Sequence, residues 1–415
     1  MHSEVIVIGA GAVGASTAAH LACMGRSVLV LEKEAEPARH QSGRNSGVIH
    51  AGYNLKPGSL KARFCVEGNR RLRAFCRERG VPMRQGGILV VARTESETPT
   101  LDELHRRATA NGVESRLVDG DEIHRIEPHV RGVRALHAPE GASFDAPAYV
   151  RALLTDAVAA GARVVYGARV LRLGDPSLER QERMPVRLET SAGPATAELL
   201  VNCGGLFADQ LAGPIARDLR VVPFRGAYAE LKPGRRHLVV SHIYPTPDLT
   251  VPFLGVHLSR RTDERVLVGP GAMLALGREA YGLLPHGLTE PLRILAWPGF
   301  YRLFRKPTLW ALTRREVLKS LSLRFVWAEA QRLLPELESR DLVRAYAGNR
   351  AQLVSRSGEL VDDIVVRETP SAIHVLNAVS PGLTCSLPFG EHLARRCVEK
   401  LESAWPPRAP SRATA

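Results

Sequence analysis

The sequence predicts an α/β fold in which a discontinuous nucleotide-binding domain is interrupted twice by β-rich chain, an α+β insert. Three observations predict it. A strand, a glycine turn, a helix and a second strand occupy the first 32 residues. Elements of the same kind return around 146–213 and again near the end of the chain. Strand-like runs dominate the stretch from 219 to 270 between them.

Taken in order, residues 4–8 (EVIVI) read as a buried strand, 13–25 as a helix stopped by Gly25, and 27–31 (SVLVL) as a second buried strand. Two apolar strands flanking one helix make a parallel βαβ unit. Gly9, Gly11 and Gly14 form G-x-G-x-x-G between the first strand and the helix, and Glu32 closes the second strand. Gly9 permits the tight turn, Gly11 lets backbone approach a pyrophosphate, and Gly14 lets helix and strand pack closely. The helix N-terminus offers free N–H groups and partial positive charge to phosphates. Glu32 can accept hydrogen bonds from ribose hydroxyls, and Lys33 follows it as a second contact on this side. Residues 36–62 lack periodicity, which directly after such a unit signals a functional loop. Helices are expected at 60–80, 99–112 and 146–160, and strands at 86–92, 163–167 and 199–205. Residues 290–338 read as helical and basic, and the chain ends in strand, loop and helix. The tail 404–415 reads as disordered.

Composition narrows the function. The 415 residues are 45% hydrophobic and 24% charged, as in an ordinary soluble globular protein. Formal net charge is +13, but only seven of the 56 basic residues are lysine and the arginines are spread evenly, so nucleic-acid binding is not expected. The six cysteines include no C-x-x-C pair and no Cys/His cluster with metal-ligand spacing, so no metal is expected. Cys23 and Cys203 read as small core residues. With no secretory signal and no run long enough to span a bilayer, a cytoplasmic location is expected.

Outside the fingerprint, GGLFAD (204–209) looks like the second nucleotide strand of glutathione-reductase-type flavoproteins, and SPGLT (380–384) like their closing flavin loop. Gly204, Gly382, Leu383 and Thr384 are the candidate contacts there. The most specific segment is HQSGRNSGVIHAG (40–52), followed by PGSLKA (57–62). With VVPFRGAY (221–228), IYPTPD (243–248), VPFLGVHLSR (251–260), VGPGAMLA (268–275), GNRAQLVSRSGELVDD (348–363) and HVLNAVSPGLTCSLPFG (374–390), the chain resembles the L-2-hydroxyglutarate dehydrogenase/oxidase family of D-amino-acid-oxidase-like flavoproteins over about residues 3–400. The resemblance implies a glutathione-reductase-type FAD-binding Rossmann domain (1–85, 145–215 and 340–403) and a β-rich substrate domain (86–144 and 216–339). It implies FAD as cofactor, L-2-hydroxyglutarate oxidised to 2-oxoglutarate, and quinone or oxygen as electron acceptor. Another 2-hydroxy acid, an amine such as sarcosine, or glycerol 3-phosphate is the alternative substrate. A non-catalytic FAD-binding protein is the alternative from another class. The chain departs from the family pattern at Asn54, Ile88, Ala227, Gly382 and Leu383, which bears on the pocket wall.

Oxidising a 2-hydroxy acid needs a base for the hydroxyl proton and cations for two carboxylates. His50, in the loop expected over the flavin, and His257, in a strand of the second domain, are the two candidate bases. Arg350 is assigned a substrate carboxylate, with Tyr244 and Lys61 as further polar candidates. Ser46 and Gly47 are expected to touch the flavin, and His40 and Arg44 to order the loop or reach the FAD phosphates. Residues 297–332 mix eight basic side chains with Trp297, Trp310 and Trp327. That mixture suggests a surface resting on anionic lipid at the inner face of the cell membrane.

Overall fold

The computed structural model describes residues 1–173, 185–249, 255–283, 287–305, 307–378 and 380–403, without the side chains of 307–312 and 315. The tail 404–415, the segment 250–254 and the Trp310 side chain therefore lie outside what the structure describes.

The first sheet is built on the strand His2–Ile8, which pairs in parallel with Val28–Leu31 on one side and Gly193–Asn202 on the other. From Val5 to Ile8 the strand is apolar at every position because it is covered there on both faces. Val5 and Val7 pack toward the helices Ala12–Cys23, Ala146–Ala159 and Gly382–Ser403, while Ile6 and Ile8 join a separate cluster on the opposite face. Each such aliphatic side chain, taken fully out of water, contributes roughly 1.5–3 kcal/mol. The helix Ala12–Cys23 lies close to the sheet because its inward residues are small: Ala15, Ala18, Ala19 and Ala22. Arg163–Val165 extends the parallel sheet beyond Val28–Leu31, and Ala372–Asn377 pairs with Gly193–Asn202.

The second sheet contains Ile88–Ala92, Arg116–Asp119, Arg134–Ala138 and the strands from Leu219 to Leu274, as expected for a β-rich second domain. It also contains Leu342–Ser355, which pairs antiparallel with Leu219–Leu231 along almost its whole length. The boundary expected at 340 is therefore too early. The chain rejoins the first sheet only at Val365–Glu368. A small third sheet of Val48–Ile49, Ala142–Phe144 and Met83–Gln85 ties the flavin-loop segment to the junction of the domains.

Residues 380–384 read as a loop in the sequence, but Gly382 already begins the terminal helix. The helix Leu60–Glu78 meets that start almost without a gap. A Cβ on Gly68 would lie 2.1 Å from the Thr384 carbonyl oxygen, so only glycine allows the approach. Ser59 caps the helix by accepting from the Ala62 N–H, and Asp363 accepts from the Leu60 and Lys61 N–H groups.

The basic segment forms the helices Thr289–Leu295, Pro298–Leu303, Pro307–Leu321 and Leu323–Ala330. Two of its three tryptophans turn inward: Trp297 is buried, and Trp327 packs on the second core and donates to the Leu337 carbonyl. Lys319 is also buried, paired with Glu316 and Glu329. Among the described residues no helix is long and apolar enough to cross a membrane. All six cysteines are free, and Cys23 is exposed rather than in the core, because it sits at the last turn of its helix.

Candidate active site

One continuous cavity of about 1440 Å³ runs from the glycine turn to the strands of the second domain. Its nucleotide end lies at the carboxyl ends of the parallel strands, where ligands bind in open α/β sheets. Gly9 has φ +98°, and a Cβ there would meet the Cys203 carbonyl oxygen at 2.7 Å. A Cβ on Gly14 would lie 2.0 Å from the Gly9 carbonyl oxygen. Gly11 is the N-cap of Ala12–Cys23 and caps it with no side chain, so apart from the Ala12 N–H, which donates to Ser42 Oγ, the helix end is left open toward the cavity. The Glu32 carboxylate accepts from the Ala10 N–H at 2.8 Å and the Glu34 N–H at 3.0 Å, which fixes it on the cavity wall. Gly204 lines the same end, held by its N–H to Asn202 Oδ1. Lys33 lines the cavity as well, but its ammonium is engaged by Glu34, Glu279 and the His40 ring. That cluster, with Tyr281 on His40 and the Arg44 guanidinium over the Tyr281 ring, fastens the loop of residues 40–52 to the second domain.

The far end is made of side chains. Ser46, His50, Lys61, Tyr228, Tyr244, His257 and Arg350 line it, together with Gly382, Leu383 and Thr384 at the start of the terminal helix. Gly47 is not among the lining residues. Its left-handed φ of +69° and its carbonyl, which accepts from Phe144, serve the small third sheet instead. Of the departures from the family pattern, Asn54, Gly382 and Leu383 line the cavity, whereas Ile88 is core and Ala227 faces away from it.

Two histidine–tyrosine stacks define the chemistry. His50 lies on Tyr53, with ring centroids 5.0 Å apart, and His257 on Tyr244, with centroids 4.2 Å apart. Their tautomers differ. The Gly52 N–H donates to His50 Nδ1 at 3.0 Å, so the neutral His50 ring carries its proton on Nε2. His257 Nδ1 faces the Gly255 carbonyl oxygen at 3.0 Å. A carbonyl only accepts, so His257 carries its proton on Nδ1 and keeps a free lone pair on Nε2. Burial holds both rings neutral: His50 is pushed down to about 4, helped by Lys61, and His257 to about 3, helped by Arg350, His242 and His50.

Arg350 projects from Leu342–Ser355 and donates from Nη1 to the Gly271 carbonyl at 3.1 Å. Lys61 is buried and donates to the exposed Asp362 at 2.8 Å. The side chains singled out in the sequence thus converge from four distant segments.

Several lining residues escaped the sequence reading. Ala168–Leu173 form the outer wall of the nucleotide end, Ser42 Oγ accepts from the Ala12 N–H at the helix end, and Arg107 lies at the substrate end beside Asn54. Position after the parallel strand of residues 163–165 was the available signal for 168–173. Nothing in local sequence pointed to Arg107.

The FAD dependent oxidoreductase family matches residues 4–396 of the chain. L-2-hydroxyglutarate dehydrogenase of Indibacter alkaliphilus is 38% identical over 396 residues, covering 94% of this chain and 97% of that protein. The Escherichia coli K12 enzyme of the same name is 36% identical, covering 96% and 94%, and the human mitochondrial one 34%, covering 96% and 89%. The chain belongs to the L-2-hydroxyglutarate dehydrogenases of the FAD-dependent oxidoreductase family. Among solved structures, the FAD-bound L-α-glycerophosphate oxidase of Mycoplasma pneumoniae superposes with a TM-score of 0.77 at 21% identity, covering 98% of this chain and 96% of that one. Glycine oxidase of Geobacillus kaustophilus gives 0.71 at 17% identity, with both chains fully covered. These two likenesses show the shared fold. A family member is an FAD-dependent oxidoreductase, and the cavity fits that cofactor: the open helix end and two close-approach glycines suit its diphosphate, Glu32 suits its ribose, and the remaining length leaves room for the flavin beside His50 and Thr384.

Proposed function

We propose that the chain oxidises L-2-hydroxyglutarate to 2-oxoglutarate. The observation that carries the reading is the pair of opposed histidine tautomers beside half-buried Arg350 and buried Lys61 at the flavin end of the cavity. Bound FAD supplies the acceptor for the C2 hydride. His257 Nε2, a lone pair in a ring already anchored through Nδ1, takes the hydroxyl proton. His50 is the complementary donor, with its Nε2–H available to the substrate oxygen. Arg350 and Lys61 hold the two carboxylates, which selects a dicarboxylate over sarcosine or a neutral hydroxy acid. Burial lowers the Arg350 pKa, and its nearness to Tyr228 and Glu316 works against that fall. A dianionic substrate supplies further negative charge there.

Anaerobic mixing tests this. L-2-hydroxyglutarate should bleach the flavin absorbance, and its D-enantiomer, sarcosine and glycerol 3-phosphate should not. Bleaching by sarcosine or glycerol 3-phosphate alone would replace the substrate, and none by any of the four would refute catalysis.

For the electron acceptor we favour a membrane quinone, reached by docking of the helical segment 289–330. With Trp297 and Trp327 turned inward, the outward apolar side chains among the described residues include Leu288, Leu292, Leu295, Tyr301, Leu321 and Phe325, interspersed with exposed Arg302, Arg305, Arg314 and Arg324. Apolar and cationic side chains mixed in this way suit an anionic lipid surface. Flotation with anionic liposomes should carry the holoenzyme upward. Replacing Leu288, Leu292 and Tyr301 by Ser should leave it in the soluble fraction, and equal partitioning of both proteins would sink the docking.

A further inference from the structure

The strand Leu219–Leu231 has a second face. Gly226 and Tyr228 look into the large cavity, whereas Arg225, Ala227 and Ala229 look toward the helices Pro307–Leu321 and Leu323–Ala330. Between strand and helices lies a separate cavity of about 70 Å³, whose walls include Arg225, Ala227, Lys319, Ser320, Arg344 and Tyr346.

The charges around it do not balance. Among the described residues three cations, Lys319, Arg225 and Arg344, stand against two carboxylates, Glu316 and Glu329, and both carboxylates are paired with Lys319. The Arg344 guanidinium is spread over the Ser320 and Leu321 carbonyls at the rim. Arg225 is only 9% exposed, and among the described residues no carboxylate pairs with it. Its Nε donates to the Tyr281 carbonyl at 2.7 Å, but its Nη1 is enclosed and has no hydrogen-bond partner. The Ser320 hydroxyl is enclosed in the same condition. Arginine cannot shed its proton to escape burial, so a guanidinium in this setting calls for a counter-ion. Arg344 aggravates the need, since burial and its like charge both act against the Arg225 cation.

We propose that this cavity binds a small monovalent anion of formate or chloride size, held by the Arg225 guanidinium with the Ser320 hydroxyl as second donor. The volume admits such an ion and excludes the dicarboxylate substrate. Ala227 leaves the space open, where a longer side chain on the same strand face would fill it. The ion touches no reacting group, but its cavity shares Tyr228 with the substrate wall, and its own wall includes Gly271, whose carbonyl accepts from Arg350. The ion therefore acts on stability first and on the substrate wall second, and the site stands whether or not L-2-hydroxyglutarate is the substrate.

Thermal melting of the FAD-loaded protein tests it, in potassium formate, potassium chloride and potassium gluconate at equal ionic strength. Formate or chloride should raise the midpoint saturably, by about 2 °C or more over gluconate, which is too large to enter. Arg225→Met should abolish the difference. Ala227→Glu, which places a carboxylate in the cavity, should melt high in gluconate and gain nothing from formate. Equal midpoints in all three salts, or the same formate response in the Arg225→Met protein, would overturn the proposal. Should Ala227→Glu fail to fold, the comparison with Arg225→Met still decides.

Discussion

At the nucleotide end of the large cavity the binding surface is mostly main chain: the turn at Gly9–Gly14, the open end of the first helix, and a Glu32 carboxylate pinned by two backbone N–H groups. At the other end it is side chain: His50, Lys61, Tyr228, Tyr244, His257 and Arg350, carried by a loop, a helix start and four strands. The first surface is shaped by what glycine leaves out. The second is shaped by which tautomer and which charge each buried group keeps. Damage at the first end should therefore remove the cofactor. Damage at the second should leave FAD in place and slow its reduction.

The largest effect is expected at Gly14. Gly14→Val drives side-chain carbon into the Gly9 carbonyl and the Cys203 side chain, so the βα turn cannot close. The purified protein should carry essentially no FAD, read as the ratio of flavin to protein absorbance. Full FAD occupancy in that variant would break the comparison. Next comes His257. His257→Ala should keep FAD and slow flavin reduction by about a hundredfold or more. His50→Gln, which retains an N–H donor, should cost roughly tenfold. Stopped-flow reduction under anaerobic conditions checks both, and the reverse order would assign the base to His50.

How much of this could be read in the sequence follows the same division. The nucleotide end is local: strand, turn, helix and acid lie within residues 2–32, and hydrophobic period plus glycine spacing placed them. The far end is not local. His50, His257 and Arg350 could be named from residue chemistry, but their roles could not be separated. The deciding partners are the Gly52 N–H and the Gly255 carbonyl, main-chain groups that residue identity does not display. The boundary set at 340 failed because Leu342–Ser355 carries an ordinary strand pattern, and pattern alone does not say which sheet a strand joins. Trp297 and Lys319 looked like surface chemistry by type, yet a cation–π contact with Arg220 and an ion pair with Glu316 hold them at buried positions.

A smaller effect should separate binding from chemistry within the far end. Arg350→Met removes one carboxylate clamp without disturbing either histidine tautomer. KM for L-2-hydroxyglutarate should rise about 10- to 100-fold, as for loss of a charge-assisted hydrogen bond, while FAD occupancy stays full. Lys61→Met should raise KM less, since its ammonium also serves Asp362. Unchanged KM in both variants would move carboxylate recognition elsewhere, with Arg107 the next cation on the cavity wall.

The smallest effect concerns acid stability. His50, His242 and His257 are buried at the far end with pKa values pushed down by desolvation to about 4, 4 and 3. In the unfolded chain each titrates near 6.5. The unfolded state therefore binds more protons, and the stability these groups permit is full above about pH 6.5 and falls as the medium is acidified toward their folded values. Each costs about 2 kcal/mol by pH 5. Glu127 works in the opposite sense, because burial raises its carboxyl to about 7 and favours the folded state in acid. His374, buried in the strand Ala372–Asn377 and also pushed down to about 4, adds to the three, so four groups oppose one and the melting midpoint should drop between pH 6.5 and pH 5. His242→Gln, which removes the one histidine of the three with no assigned chemical role, should flatten that slope by about a third and leave FAD occupancy intact. A slope as steep as in the parent protein would show that acid lability arises elsewhere, with His374 in the nucleotide sheet as the first group to test.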